Sequence, residues 1–298
     1  MSARVLQFGV TGQVARCLIE QAPAHAIDLS VLDRNAADLA DPGACAAAVR
    51  QAESIQAVII AAAYTKVDQA ETERALAWTI NADAPAAIAA AAAERAVPVI
   101  HLSTDYVFDG TKGSPYAEDD APAPLSVYGA SKRAGEIALA ACSPHNVTIR
   151  TSWVFAPHGG NFVRTMLQLS TRRDFLSIVD DQVGGPTAAD DIADAVLRIA
   201  RQRIAGDGQG GVFHFASAPA VSWAGFAEAI FKHAAPTTGK HPEIKRIPTS
   251  DYPTAAARPL DTRLDCRKIE AIYGIARPDW RRALARTLDT LFNGEPGS

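Results

Sequence analysis

The sequence predicts an α/β fold, a Rossmann-like doubly wound parallel sheet with a smaller C-terminal substrate-binding lobe. Three observations lead there. Short apolar runs with little polar alternation recur between longer, alanine-rich helical stretches over residues 1–150, as strands covered on both faces require. A glycine turn, Gly9-Val10-Thr11-Gly12, follows the first apolar run and opens the first helical stretch. After Thr151 the texture changes to mostly helices with few and short strands between them.

Taken in order, Val5–Phe8 is expected as a strand and Gly12–Gln21 as a helix. Leu29–Leu32 and Ala57–Ile60 follow as strands. Glu73–Arg95 is expected to be helical, with Pro85 marking a start or a kink because proline lacks the N–H a helix interior uses. Val97–Leu102 is the fourth strand, Tyr128–Ala141 a helix and Val147–Arg150 the fifth strand. Beyond Thr151, helices are expected near 161–172, 188–201, 222–234, 266–273 and 279–292, with strands at Leu176–Val179 and Val212–Phe215. Pro236–Pro259 is rich in Pro and Thr and is expected to be irregular. Residues 1–150 thus form a dinucleotide-binding domain, joined by parts of 176–215, and 151–298 form mainly the substrate lobe.

A chain of 298 residues buries roughly three quarters of its unfolded surface on folding, so no disulfide or metal staple is needed. The 48% hydrophobic and 21% charged shares are globular, and the net charge of -4 gives no reason to expect nucleic acid as a partner. No apolar run reaches the roughly 20 residues that span a bilayer, and the N-terminus lacks the pattern of a signal peptide. Cys17, Cys45, Cys142 and Cys266 lie far apart without zinc-ligand spacing, which fits reduced thiols in a cytoplasmic protein.

The chemistry concentrates at the ends of the expected strands. Gly9 permits a tight turn, Gly12 lets a pyrophosphate approach a helix N-terminus, and Ala15 keeps helix and strand close. Asp33 follows the second strand about 20 residues beyond the glycines, where a carboxylate bonds an adenosine ribose hydroxyl. Arg34 beside it suits a 2'-phosphate instead, which leaves NADH and NADPH both open. Ala61-Ala62-Ala63 ends the third strand in side chains small enough for a cofactor to cross. Ser103-Thr104-Asp105 places polar groups at the carboxyl end of the fourth, where the ligand crevice of such sheets lies. Tyr128 and Lys132, four residues apart, share one helix face. A free phenol has a pKa of about 10 and is a poor acid–base catalyst; an ammonium nearby and a cationic nicotinamide are expected to pull it down. Trp153 closes the fifth strand, facing either the crevice or the core between the lobes; the crevice is the expectation.

Together the glycine turn, the strand-end Thr104 and the Tyr-x-x-x-Lys helix resemble the extended short-chain dehydrogenase/reductases. Longer strings narrow the likeness. Ala62–Asp68, Ser103–Gly110, Val127-Tyr128-Gly129, Arg150–Phe155, Asp181–Thr187 and Arg258-Pro259 resemble the dTDP-4-dehydrorhamnose reductases, from the first strand to about Trp280. That resemblance implies reduction of the 4-keto group of dTDP-4-dehydro-6-deoxy-L-hexulose by NADPH or NADH, giving dTDP-L-rhamnose for cell-surface polysaccharide and lipopolysaccharide biosynthesis. It implies that Gly12, Gln13 and Val14 wrap the pyrophosphate, that Asp33, Asp38 and Leu39 hold the adenosine end, and that Ala62, Ala63 and Tyr64 line the nicotinamide side. Thr104, Tyr128 and Lys132 are then catalytic, and Thr65, Val67, Asp105 and Trp153 touch the sugar nucleotide. Tyr64 departs from the histidine that the family often carries. Some members dimerise through magnesium held by glutamates. Here Cys17 and Asp190 stand at two of those places, which counts against a magnesium bridge and leaves a monomer or a homodimer.

Two rival readings share the fold. One is another NAD(P)-dependent sugar-nucleotide reductase, an epimerase or a dehydratase, although Asp105-Tyr106 lacks the Asp-Glu pair of many dehydratases. The other is a non-catalytic regulatory subunit like that of methionine adenosyltransferase, which the intact Thr104, Tyr128 and Lys132 argue against.

Overall fold

The computed structural model describes residues 2–294. Its first half runs β1 (Ala3–Phe8), α1 (Gln13–Gln21), β2 (Ile27–Leu32), α2 (Pro42–Gln51), β3 (Ala57–Ile60), α3 (Val67–Ala70), α4 (Arg74–Trp78), α5 (Ala84–Glu94), β4 (Val99–Thr104), α6 (Val127–Cys142) and β5 (Val147–Thr151). The second half runs β6 (Val154–Phe155), α7 (Phe162–Ser170), β7 (Phe175–Val179), β8 (Val183–Gly184), β9 (Thr187–Ala188), α8 (Ala189–Ala205), β10 (Gly211–His214), β11 (Val221–Ser222), α9 (Trp223–Thr238), β12 (Glu243–Ile247), α10 (Arg267–Tyr273) and α11 (Trp280–Asn293).

Six strands form the central sheet in the order β10-β5-β4-β3-β1-β2, every pair parallel. From β1 the chain moves one way to β2 and then back past β1 to β3. The carboxyl ends of β1 and β3 therefore flank a topological switch point, the place where such sheets bind ligands. One face is covered by α1, α8 and α10 through Leu18, Ile192, Val196 and Ile269, and the other by α2, α5 and α6 through Val49, Ile88 and Leu139. A separate core gathers Phe155, Met166, Phe226, Phe231 and Trp280 in the second half.

Several elements differ from expectation, each for a local reason. Residues 42–51 form α2, which sequence reading passed over; the Asp41 carboxylate accepts from the Ala44 amide at 3.0 Å and Pro42 sits in the first turn, both helix-start signals. Glu73–Arg95 is helical from Arg74 to Glu94 as expected, and the interruption that Pro85 marks takes a specific form. A π-helical turn over Thr79–Asp83 separates α4 from α5, just ahead of Pro85, whose missing N–H leaves a normal α-bond unmade. Pro236–Pro259 is not wholly irregular. The helix α9 carries Pro236 in its last turn, and β12 pairs in parallel with β7, Glu243 opposite Phe175. Of the later strands, β10 adjoins β5 in the central sheet, whereas β7 stands outside it with β12. Among the described residues no helix is long and apolar enough to cross a membrane. All four cysteines are free thiols.

Candidate active site

A cleft of about 660 Å³ opens at the switch point. Its floor is backbone. Gly9 has φ +101°, and a Cβ there would sit 2.8 Å from the Ala62 Cβ, so only glycine lets β1 turn this close to the end of β3. Gly12 caps α1 without any side-chain hydrogen bond, leaving the first-turn amides for an anion. These are features a dinucleotide pyrophosphate requires, and the volume lies within the usual range for cofactor sites.

The cleft walls bring together Gly9, Gly12, Gln13, Val14, Asp33, Arg34, Asp38, Leu39, Ala62, Ala63, Thr65, Tyr128 and Lys132. At the adenosine end, Asp33 Oδ1 accepts from the Asn35 and Ala36 amides, each at 2.9 Å, which orients its carboxylate. Arg34 is 81% exposed and touches Asp38 only at 3.8 Å. Sequence reading missed the opposite wall. His158 meets the Gln13 carbonyl oxygen at 3.0 Å and Asn161 donates to the Gln13 side chain at 2.9 Å, drawing Gly159 and Gly160 over the glycine turn. Asn161 also caps α7, the one signal that marked this loop in the sequence.

Tyr64 does not face the cleft: it is buried and its hydroxyl donates to Glu73 at 2.7 Å. Val67, Thr104, Asp105 and Trp153 also lie outside the lining. Thr104 and Asp105 are buried immediately behind it, where the Thr104 hydroxyl donates to Asp105 at 3.1 Å. Burial pushes the Asp105 carboxyl up to about 7 against the hydrogen bonds from Thr262 and Thr104. Trp153 is half-buried at φ +46°, a left-handed backbone unusual for so bulky a residue, and its indole stacks on Trp223 with centroids 3.5 Å apart.

At the other end of the cleft, α6 carries Tyr128, Lys132 and Glu136 on one face. A Cβ at Gly129 would lie 2.1 Å from the Tyr106 carbonyl oxygen, and one at Gly135 2.2 Å from that of Asn81, so two glycines let this helix press onto its neighbours. Asn81 from the π-helical turn bonds Ser131 Oγ at 3.0 Å and the Tyr64 backbone, pinning α6 between the two titratable groups. The expectation that an ammonium lowers the phenol is corrected here. Burial dominates and pushes Tyr128 up to about 12, Asp105 adds to the rise and a hydrogen bond with Thr104 opposes it. Burial also pulls Lys132 down to about 7, with Glu136 opposing. Burial thus favours the protonated phenol and works against the charged form of the lysine.

Beneath Lys132 lies a buried ionic network that sequence reading missed. Arg150 on β5 donates to Glu136 through Nε at 2.9 Å and Nη2 at 2.7 Å, and Ser103 adds a bond at 2.6 Å. Arg150 also approaches His214 on β10 at 3.3 Å. Charges in the middle of apolar strand runs were the available signal. At the two positions considered for magnesium, the chemistry does not fit a hard cation that takes oxygen ligands. Burial pushes the Cys17 thiol up to about 12, and Asp190 is already held by Arg286 at 3.1 Å.

A doubly wound sheet with a glycine turn at its switch point and a Tyr-x-x-x-Lys helix across the cleft defines the Rossmann-type reductases and epimerases of nucleotide sugars. Within that class the chain belongs to the family described as RmlD substrate binding domain, whose model matches residues 3–293. It is 42% identical over 285 residues to a dTDP-4-dehydrorhamnose reductase of Sinorhizobium fredii, covering 95% of this chain and 96% of the relative. It is 43% identical to one from Burkholderia thailandensis, covering 94% and 96%. A solved dTDP-4-dehydrorhamnose reductase from Bacillus anthracis, in complex with NADP, superposes with a TM-score of 0.89 at 32% identity, covering 97% of this chain and 99% of that one.

Proposed function

We infer that this chain is an oxidoreductase that uses NADPH or NADH to reduce the 4-keto group of dTDP-4-dehydro-6-deoxy-L-hexulose to dTDP-L-rhamnose. The observation that carries the reading is that Tyr128 and the buried Lys132 line the same cleft as the Gly9–Gly12 turn. When bound, the reduced nicotinamide supplies the hydride for the keto carbon. The glycine-turn amides with Gln13 and Val14 hold the pyrophosphate, and Asp33, Arg34, Asp38 and Leu39 hold the adenosine end. Ala62 and Ala63 leave room for the nicotinamide.

Tyr128 donates its phenolic proton to the oxygen as negative charge develops there. Lys132 as an ammonium stabilises the phenolate that remains, and Thr104, by turning its hydroxyl from Asp105 to the substrate oxygen, fixes that oxygen's place. Thr65 on the cleft wall, with Val67, Asp105 and Trp153 beyond it, serves the sugar nucleotide. In this reading residues 1–150 bind the dinucleotide and 151–298 mainly grip the sugar nucleotide, the protein works in the cytoplasm, and no magnesium is needed.

The test is cofactor oxidation followed by absorbance with the dTDP-keto sugar, with the product identified by NMR. Turnover to dTDP-L-rhamnose supports the reading. Binding of the sugar nucleotide without turnover would favour a regulatory subunit, and a different sugar product would favour another reductase or an epimerase.

A further inference from the structure

β4 and α6 meet as a two-rung ladder. His101 and Ser103, two apart on β4, face Lys132 and Glu136, four apart on α6. The lower rung is ionic: Ser103 donates to Glu136, whose charge Arg150 balances. The upper rung is of another kind. Lys132 Nζ lies 3.1 Å from His101 Nε2 and 2.6 Å from the Leu102 carbonyl oxygen, and no carboxylate bonds it among the described residues. His101 is 1% exposed and Lys132 2%.

An ammonium has three N–H donors and no lone pair. The Leu102 carbonyl takes one. His101 takes a second only if Nε2 is bare, which requires a neutral ring with its proton on Nδ1, an atom that meets no hydrogen-bond partner among the described residues. Burial, and then the charge of Lys132, hold the imidazole well below its usual range, so the ring does not become a competing cation. The other titratable groups around the pair are Tyr128 and Glu136 on α6 and Arg150 on β5. The strand partners beside His101, Ile60 on β3 and Thr148 on β5, carry no charge. A carboxylate at position 101 would cancel the charge that the phenolate needs. An apolar side chain would leave an N–H unmade and favour the amine.

We propose that His101 is a positioning residue for Lys132: a neutral imidazole whose Nε2 accepts one ammonium proton and, with the Leu102 carbonyl, leaves one N–H for the cleft. The proposal rests on the reading of Lys132 as a catalytic ammonium. It goes further in naming what keeps that ammonium charged and aimed while it is buried.

Two measurements test it. In His101→Phe the acceptor is lost while ring volume is kept. Lys132 then loses its proton at lower pH, so the basic limb of kcat moves down by about one pH unit and neutral-pH kcat falls about fivefold. His101→Gln, which returns an oxygen acceptor, is expected to stay within about threefold of the parent with the limb unmoved. A merely structural role would lower Tm in both variants and move the limb in neither. The second measurement needs no variant: 15N NMR of imidazole-labelled parent protein is expected to show His101 neutral, with Nε2 bare, from about pH 5 to pH 7. A folded His101→Phe enzyme with the parent's kcat and limb, or a spectrum with the proton on Nε2 over that range, would overturn the proposal. Should the parent show no turnover with the dTDP-keto sugar, the functional reading fails, while the spectrum still decides the His101–Lys132 arrangement.

Discussion

The two ends of the cleft are built from different materials. The dinucleotide end is shaped by backbone: Gly9 at φ +101°, Gly12 at an uncapped helix start, and alanines that end β3. Of its charged side chains, Arg34 is 81% exposed and loosely held, whereas Asp33 is fixed by two backbone amides. The α6 end is shaped by buried side chains: Ser103, Glu136, Arg150 and His214 form a buried network that spans β4, α6, β5 and β10, and Lys132 is held beside it by His101. The contrast teaches that recognition here is a matter of space and amides, whereas chemistry depends on charges kept out of water. Changes at the first end should shift affinities modestly. At the second they should hit rate or stability hard.

The largest effect is expected at Tyr128. Tyr128→Phe should lower kcat by a factor on the order of 10² to 10⁴ while dinucleotide affinity, read by fluorescence titration, stays close to that of the parent. Parent-like turnover in that variant would remove Tyr128 from the acid role and break the contrast at its centre.

Next comes the ionic network. Glu136→Ala leaves Arg150 buried without its carboxylate, and denaturant unfolding should show a loss of about 3–5 kcal/mol. The pH dependence has a definite sign. Glu136 is held below its usual value because bonds from Arg150, Ser103 and Arg133 outweigh burial. Its contribution is therefore fully present above the unfolded-state value near 4.5 and is lost as pH falls through the lower folded-state value. A Glu136→Gln protein should accordingly lose less stability than the parent between about pH 4.5 and pH 2. Parallel acid profiles would show that the network is not the acid-sensitive element.

A middle-sized effect is expected at Trp153, which belongs to neither end. Trp153→Ala removes the stack on Trp223 and should cost about 2 kcal/mol by thermal or chemical unfolding, less than a fully buried tryptophan. If the residue also serves the sugar nucleotide, KM for that ligand rises several-fold while cofactor affinity holds. An unchanged KM would leave Trp153 a packing residue alone.

Smallest is the effect at the adenosine end. Both NADH and NADPH should be accepted, with kcat/KM values within about a thousandfold, roughly 4 kcal/mol. Arg34→Ala should lower kcat/KM for NADPH by about three- to tenfold and leave NADH untouched, since an exposed arginine contributes little. A larger change would make this end a charge-dependent site like the other.

The same contrast decides what was legible in the sequence. The glycine turn, the strand-end alanines and Tyr128–Lys132 are local patterns, complete within a few residues, and the family resemblance they carry implies that they share one cleft. The Arg150–Glu136–His214 network joins residues 14 and 64 apart, and the Gln13–Asn161 bond spans 148. Nothing local pairs them. Arg150 and His214 stand in short runs that read as apolar strands, and only the fold reveals that their polar groups have partners. The spacing shows an ammonium near Tyr128 but not the burial that pushes the phenol up. The helix α2 carried readable signals in Asp41-Pro42, whereas β12 exists only because β7 lies beside it.

The position of β10 has a consequence for biosynthesis. β5 is buried along its whole length, and its outer edge is covered by β10, which begins about sixty residues later in the chain. At usual elongation speeds on a ribosome that edge stands bare for roughly 3–12 s after Thr151 is made, while the intervening 50-odd residues wait on a sheet that is still open. A nascent chain halted before Gly211 should be bound by holdase chaperones and one halted well past His214 released, as pull-down of arrested ribosomes would show. The first half of this molecule is thus completed by the second, and an N-terminal fragment ending at residue 150 would carry the whole glycine turn yet offer an open parallel edge to any strand that meets it.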